Sequence, residues 1–232
     1  YQQAIADGAS YIIGPLDKAS INRLTQEFSL DVPTLTLNYA ENPLSLSDNL
    51  YQFGLLPEDE ARQAAELAIR DNHTTAAVLI PDSDWGRRIL DAFTQRFEQL
   101  GGSVLASEQY PTNVDDYSRQ VKALFNLDDS NARHKDLEHV LGTRLQFIPY
   151  RRQDIDMIFL AATHRAARGI IPALKFHHAG DLPVYATSHV YSGYLDRNAD
   201  RDLDGVIFCD LPWTLSSDNM LKKNFNSTWK DQ

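Results

Sequence analysis

The feature that most constrains this fold is an alternation between short β-branched or aromatic runs and amphipathic helical patterns. Eight such runs occupy residues 11–13, 34–37, 50–53, 76–80, 103–107, 157–161, 184–187 and 206–209. Between them, residues 58–70 and 84–100 place apolar side chains at helical spacing. Strands that alternate with helices of this length form βαβ units, so the sequence predicts an α/β fold with mostly parallel sheets.

Two segments depart from this alternation. The helical pattern at 164–178 contains Pro172, which removes a backbone hydrogen bond and predicts a kink or a split. Residues 126–156 fit the pattern least, because a polar opening precedes one short predicted helix around Leu137, ended by Gly142. We interpret this stretch as an insertion between a helix and the next core strand, and insertions often carry function.

Composition excludes several classes of protein. The net charge of −10 disfavours a general nucleic-acid binder, because phosphate binding requires a basic face. The longest uninterrupted apolar run, 157–162, is too short to span a bilayer. The single cysteine, Cys209, permits no internal disulfide and lies in an apolar run, which is typical of a buried inert thiol.

No sequence motif indicates catalysis or a bound metal. Residues 200–205, "DRDLDG", match the opening of a calcium-binding EF-hand loop, but Leu211 replaces the glutamate that the twelfth position requires. The alternative is an acidic turn before a strand. There is no Gly-x-Ser-x-Gly nucleophile elbow and no glycine-rich phosphate loop. The sequence therefore predicts a protein with no catalytic residues, no metal and no cofactor.

Four landmarks carry a resemblance to a known fold family. They are "IIGPLDKASINRL", "DVPTLTLNYAENP", "LYQFGLLPEDEARQAAELA" and "AAVLIPDSDWGRRILDAFTQRFEQLGGSVLASEQYP". In this order they resemble type 1 periplasmic-binding proteins, which have two Rossmann-like lobes around a solute cleft. The resemblance implies a partial first lobe at 1–53, a second lobe at 54–210 with the insertion 126–156, and a return segment toward the first lobe at 211–232. We expect the first lobe to be incomplete in this chain.

Three later motifs narrow the resemblance. "LQFIPYRRQDIDMIFLAA", "AGDLPVYATSHVYSG" and "RDLDGVIFCDLPW" resemble the C-terminal domain of the LpoA family, outer-membrane lipoproteins that activate a class A penicillin-binding protein. The similarity covers nearly the whole chain. It implies a non-catalytic regulator that binds and stimulates a bifunctional peptidoglycan synthase on the periplasmic side of the outer membrane. Membrane contact is then expected only through a lipid anchor outside this sequence.

The same fold leaves a second function open, a periplasmic receptor for an amino acid or a cell-wall fragment. Residues at the strand ends that could wall such a cleft are Asp17, Lys18, Ser20, Asn38, Tyr39, Trp85, Thr187 and Ser188. Each has a structural alternative. Asp17 is a good helix cap, Asn38 and Tyr39 suit a turn, and Trp85 could plug the cleft instead of stacking on a ligand.

The insertion offers the candidate partner interface. Arginine and tyrosine are favoured at interface hot spots. The candidate residues are Arg144, Phe147, Tyr150, Arg151 and Arg152. The alternative is a solvated basic edge whose charges are satisfied by Asp154 and Asp156.

Overall fold

The computed structural model describes residues 1–27, 29–40, 47–194, 196–215 and 220–230. The chain divides into two compact units, Tyr1–Leu56 and Pro57–Gln232. Each unit is built around its own parallel sheet. The predicted α/β fold with parallel sheets is confirmed.

The first unit has a small sheet of three strands. Its elements are α1 (Gln2–Ala6), β1 (Ile12–Ile13), α2 (Lys18–Glu27), β2 (Thr34–Thr36) and β3 (Leu50–Gln52). The strands lie in the order β1-β2-β3 and all pairs are parallel. α2 buries Ile21 and Leu24, three residues apart and therefore on one side of the helix.

The second unit has a larger doubly wound sheet. Its elements are α3 (Pro57–Arg70), β4 (Thr75–Pro81), α4 (Asp84–Gln99), β5 (Ser103–Tyr110), α5 (Ser118–Leu124), α6 (Leu127–Leu141), β6 (Met157–Leu160), α7 (His164–Phe176), β7 (Val184–Ala186), β8 (Val206–Phe208), α8 (Pro212–Leu215) and α9 (Met220–Lys230). The strands lie in the order β5-β4-β6-β7-β8 and every pair is parallel.

Two apolar clusters cover the two faces of this sheet. Leu79 and Ile158 belong to the cluster that includes α5 and α7, whereas Val78 and Phe159 belong to the cluster that includes α3 and α4. Consecutive strand residues point to opposite faces, so both faces of β4 and β6 are buried. The Phe93 ring of α4 stacks on Phe159 at a centroid distance of 4.0 Å.

The strand predictions match the structure closely. Each predicted run contains a strand, and the largest difference is that β5 continues to Tyr110. Because all strands of the larger sheet are parallel, their carboxyl ends meet at one edge, where ligand sites of α/β proteins usually lie.

Two helix predictions differ from the structure. α7 passes through Pro172 as one helix, so the predicted split does not occur and the alternative, a kink, stays a prediction; Ile171 and Leu174, on either side of the proline, are buried. α6 begins at Leu127, well before the short helix predicted around Leu137. Its first half is polar and lacks apolar periodicity, but acidic residues in its first turn suit the helix dipole. It ends, as predicted, at Gly142, whose φ of 65° favours glycine.

The domain boundaries stay predictions. The boundary between the compact units follows Leu56, close to the predicted boundary after residue 53. The segment 211–232 includes α8 and α9, while residues 216–219 and 231–232 lie outside the described residues.

Candidate functional site

Three predicted cleft residues follow β1: Asp17 ends the loop, and Lys18 and Ser20 lie in the first turn of α2, all of them exposed. The Ser20 backbone N donates a hydrogen bond to Asp17 Oδ2 at 2.8 Å, so the carboxylate caps the first turn of α2. This hydrogen bond holds the pKa of Asp17 below its usual value. The contact matches the helix-cap interpretation of Asp17.

Asn38 and Tyr39 stabilise the loop after β2. Asn38 Nδ2 donates to the Leu16 carbonyl at 3.3 Å, and the Tyr39 backbone N donates to Asn38 Oδ1 at 2.9 Å. The Tyr39 ring lies so close to Gly54 that a Cβ there would meet Tyr39 Cε2 at 2.9 Å. The nitrogen and the oxygen of the Asn38 side-chain amide therefore both form hydrogen bonds inside the first unit.

Trp85 lies at the start of α4, just after β4. Its ring is 4.8 Å from the His189 ring, and its side chain packs against the apolar cluster of α3 and α4. The helix approaches the strand closely at the next residue, because a Cβ on Gly86 would collide with the Pro81 carbonyl oxygen. Trp85 is half-buried and held by contacts within its own unit.

Thr187 and Ser188 follow β7 at the same edge of the sheet. The backbone N and the hydroxyl of Ser188 donate to the Glu60 carboxylate of α3 at 2.8 and 2.9 Å. Thr187 is fully buried, and its hydroxyl has no hydrogen-bond partner within the residues that the structure describes. Glu60 could not be found from sequence, because it lies 128 residues from Ser188.

The insertion folds as a helix with a returning loop. After Gly142 the chain turns back, and the Leu145 backbone N donates to Glu138 Oε1 at 2.9 Å. Farther along, the Phe147 ring stacks on His134 at 4.2 Å, nearly parallel. The loop therefore runs alongside α6 toward its N-terminal end.

Arg151 has a buried, structural position. Its guanidinium donates to the His178 carbonyl at 2.9 Å and to Asp181 at 2.6 Å. The residue is 8% exposed. Because its own chain encloses the guanidinium, the structure favours an internal role for Arg151, and its place in a partner interface stays a prediction.

Arg152 forms a local ion pair. Its Nε and Nη2 donate to the two carboxylate oxygens of Asp154, each at 2.7 Å. Hydrogen bonding to Asp154 raises the pKa of Arg152. Asp156, predicted to balance the same basic edge, instead accepts hydrogen bonds from the backbone N of Thr74 and Thr75 at 2.9 and 3.1 Å. Of the two acids predicted to balance this edge, Asp154 is therefore the one that pairs with an arginine of the edge in the described part of the chain.

Other residues of the insertion are open to solvent. Arg144 and Tyr150 are exposed, and Phe147 is half-buried against His134. The exposed apolar side chains of this segment are Leu137, Val140, Leu141, Ile148 and Tyr150. The helical spacing of Leu137, Val140 and Leu141 predicts a helix but not their exposure, because spacing alone does not say which side of a helix faces the core.

The acidic turn at 200–205 is held by an arginine. Arg168 Nη2 donates to Asp200 Oδ1 at 2.8 Å, and a 3₁₀ turn, Arg201–Leu203, leads into β8. Among the described residues, no three His, Cys, Asp or Glu side chains are placed to hold a metal ion. Within the described ranges, no helix is both long enough and apolar enough to cross a membrane.

Known proteins resemble this chain over nearly its whole length. A protein from Photobacterium profundum named "Penicillin-binding protein activator LpoA" is 28% identical over 232 residues, 98% of this chain and 37% of that protein. A protein of the same name from Vibrio antiquarius is 24% identical and matches 100% of this chain and 39% of its own length. The chain therefore spans about two fifths of these relatives.

Solved structures show the same fold. The LpoA C-domain from Haemophilus influenzae, described as a regulator of PBP1A, superposes with a TM-score of 0.70 at 20% identity and covers 99% of this chain and 64% of that one. A "putative branched-chain amino acid ABC transporter" from Chromobacterium violaceum gives a TM-score of 0.63 at 26% identity, covering 96% of this chain and 61% of that one. The periplasmic-binding-protein-like fold is confirmed.

A family model described as "LppC putative lipoprotein" matches residues 1–232. The resemblance to LpoA proteins found in the motifs at 145–162, 179–193 and 201–213 is confirmed. Because the family match extends over the entire sequence, this chain belongs to the LppC lipoprotein family.

Proposed function

We propose that this chain is a non-catalytic regulatory domain that binds a class A penicillin-binding protein and stimulates its peptidoglycan synthesis. The full-length family match and the relatives named penicillin-binding protein activators support a regulatory role. The structural observation that carries the proposal is the exposed apolar surface of the insertion. Exposed, clustered apolar side chains on a water-facing domain mark protein-binding sites.

The strand-end residues favour a protein partner over a small solute. Solute pockets of this kind use a few polar groups that remain available to the ligand. The polar groups of Asp17, Asn38 and Ser188 are instead engaged by the backbone or by Glu60. Among the described residues, the Thr187 hydroxyl has no hydrogen-bond partner. Thr187 is completely buried, however, so a solute could not reach this hydroxyl.

The proposed mechanism is a shift between conformations of the synthase. A partner stabilises the active conformation only to the extent that it binds that conformation more tightly than the inactive one. A tenfold shift requires a difference of about 1.4 kcal/mol in binding free energy. The contact would take place on the periplasmic side of the outer membrane, to which a lipid anchor outside this sequence would tether the full protein.

A binding measurement tests the proposal. The purified chain, immobilised through one terminus, is titrated with a purified class A penicillin-binding protein, and a class B penicillin-binding protein serves as the matched control. We expect saturable binding of the class A enzyme with a Kd of about 10 μM or tighter, equivalent to about 7 kcal/mol. Absence of binding, or equal binding of both enzymes, contradicts the proposal.

A second candidate function is a receptor for an amino acid or a cell-wall fragment. It is favoured by the fold shared with the Chromobacterium violaceum transporter protein and by the half-buried Trp85. A ligand present at 100 times its Kd stabilises the folded state by about 2.7 kcal/mol. A thermal-shift screen with amino acids and muropeptides therefore detects such a receptor, and we expect no ligand to raise the Tm.

A further inference from the structure

The C-terminal half of α6 exposes apolar side chains that a surface helix ordinarily buries. Leu137 is 53% exposed, Val140 79% and Leu141 58%. These positions are spaced i, i+3 and i+4, so they lie on one side of the helix. The buried residues of α6, Leu127 and Ser130, lie in its first half. An apolar surface therefore faces solvent along the last two turns.

The returning loop covers a different row of the same helix. Ser130 Oγ accepts from the Tyr150 backbone N at 3.3 Å, His134 stacks on Phe147, and Glu138 accepts from the Leu145 backbone N. These three helix residues form one i, i+4 row. The neighbouring i, i+4 row consists of Arg133, Leu137 and Leu141, with Val140 beside it. The chain thus covers the first row and leaves the second open.

Two arginines flank the open row. Arg133 begins it, and Arg144 follows Leu141 by three residues, just beyond the turn at Gly142; both are exposed. Within the described residues, neither side chain forms an ion pair or a hydrogen bond. Asp129 and Asp136 are the acids nearest to Arg133 by helical spacing. Neither is paired with Arg133 in the part of the chain that the structure describes. Two available positive charges on a chain of net charge −10 are therefore placed at the ends of an apolar row.

We propose that Arg133, Leu137, Val140, Leu141 and Arg144, the α6 stripe, form the docking site for a segment of the partner protein that carries apolar side chains flanked by Asp or Glu. The inference rests on the proposed function and names the kind of segment that the synthase would supply. From Arg133 to Leu141 the row extends for about 12 Å, enough for two turns of a partner helix. Carboxylates at the two ends of that segment would pair with the guanidiniums.

Charge distinguishes a protein segment from other occupants. Each basic residue contributes only about 1 kcal/mol to binding an anionic membrane, so two arginines on an acidic chain are a poor lipid site. In a symmetric contact between two copies, the same arginine-flanked row would face itself and bring like charges together. An acidic, apolar segment of another protein satisfies both the apolar side chains and the guanidiniums.

The test compares two double variants with two matched controls. Arg133→Glu with Arg144→Glu reverses the charges, and Leu137→Ser with Val140→Ser removes apolar area. The controls are Arg197→Glu with Arg201→Glu, an equal change of charge elsewhere, and Tyr194→Ser, which alters a side chain that is 83% exposed. All sites are exposed, so the urea midpoint of each variant should match that of wild type.

Affinity for the class A enzyme gives the readout. We expect each stripe variant to raise the Kd at least about tenfold and each control to change it less than about twofold. We also expect added salt to weaken wild type more than the charge-reversed variant. Stripe variants that bind like wild type overturn the docking site while the proposed function stands; wild type that fails to bind overturns both. Stripe-dependent dimerisation in sedimentation, or stripe-dependent binding to anionic vesicles, also overturns this inference by identifying another occupant.

Discussion

Glu60 of α3 accepts both hydrogen bonds that Ser188 can donate, from its backbone N at 2.8 Å and from its hydroxyl at 2.9 Å. The interaction connects a helix on one face of the sheet with the loop that follows β7. It also occupies the groups of Ser188 that a solute would need. A residue selected from sequence as a ligand contact is therefore part of the internal structure of the second unit.

Replacing Glu60 tests this structural role. Glu60→Ala removes both hydrogen bonds to a charged acceptor and should lower the free energy of unfolding by about 2–3 kcal/mol. Ser188→Ala retains the backbone hydrogen bond and should cost about 1 kcal/mol. Urea unfolding followed by circular dichroism measures both changes. Glu98→Ala, at an exposed position of α4, is the control and should stay within about 0.5 kcal/mol of wild type.

Arg151 and Arg152 should differ in their effect on stability although they are adjacent. Arg151→Ala removes the donors to the His178 carbonyl and to Asp181 and leaves a cavity, which should cost about 2–4 kcal/mol. Arg152→Ala removes a less buried arginine side chain, 22% exposed against 9% for Arg151, from its pair with Asp154 and should cost about 1 kcal/mol or less. Urea midpoints of the two variants provide the comparison. Equal losses would contradict the structural assignment of Arg151.

The contrast between these arginines shows what sequence could establish. The β-branched and aromatic runs predicted the strands of the described residues, and in β4, β6 and β7 they are continuous because parallel strands buried on both faces require apolar residues throughout. The burial of Arg151 could not be predicted, since its partners lie 27 and 30 residues further along the chain. Contacts between distant segments decide whether a charged side chain is a surface group or an internal one.

The insertion shows the same limit in a helix. Gly142 gave the end of α6, because a glycine after an apolar helical turn favours the left-handed cap. The exposure of Leu137, Val140 and Leu141 depends on which row the returning loop covers, and that is set by Glu138, His134 and Ser130. Sequence periodicity identified the segment of interest but not its exposed side.

His177 should make stability depend on pH. It is buried at the end of α7, its Nε2 has no hydrogen-bond partner among the described residues, and burial lowers its pKa. Nearby Lys122 lowers the pKa further, whereas Asp116 opposes this effect. The fold therefore favours the neutral ring, and this contribution is present above the unfolded pKa of about 6.5 and is lost as the pH falls through the folded pKa.

A variant isolates this contribution. The free energy of unfolding of wild type should decrease between pH 7.5 and pH 5, and His177→Gln, neutral throughout, should show a smaller decrease. His139→Gln, at an exposed position of α6, should retain the wild-type dependence. Urea titrations at four pH values give the slopes. Identical slopes for wild type and His177→Gln would show that the ring is not held neutral by the fold.

Activation is measured as the rate of peptidoglycan synthesis by a purified class A penicillin-binding protein. The rate is followed from lipid-linked precursor with and without a saturating amount of this chain. Digestion of the product and separation of its muropeptides report glycan polymerisation and cross-linking together. We expect a several-fold higher rate with a saturating amount of the wild-type chain, and at a chain concentration near the wild-type Kd a rate reduced toward the basal rate by Arg133→Glu with Arg144→Glu. A rate unchanged by the wild-type chain, although the two proteins bind, would contradict the claim that this domain is an activator.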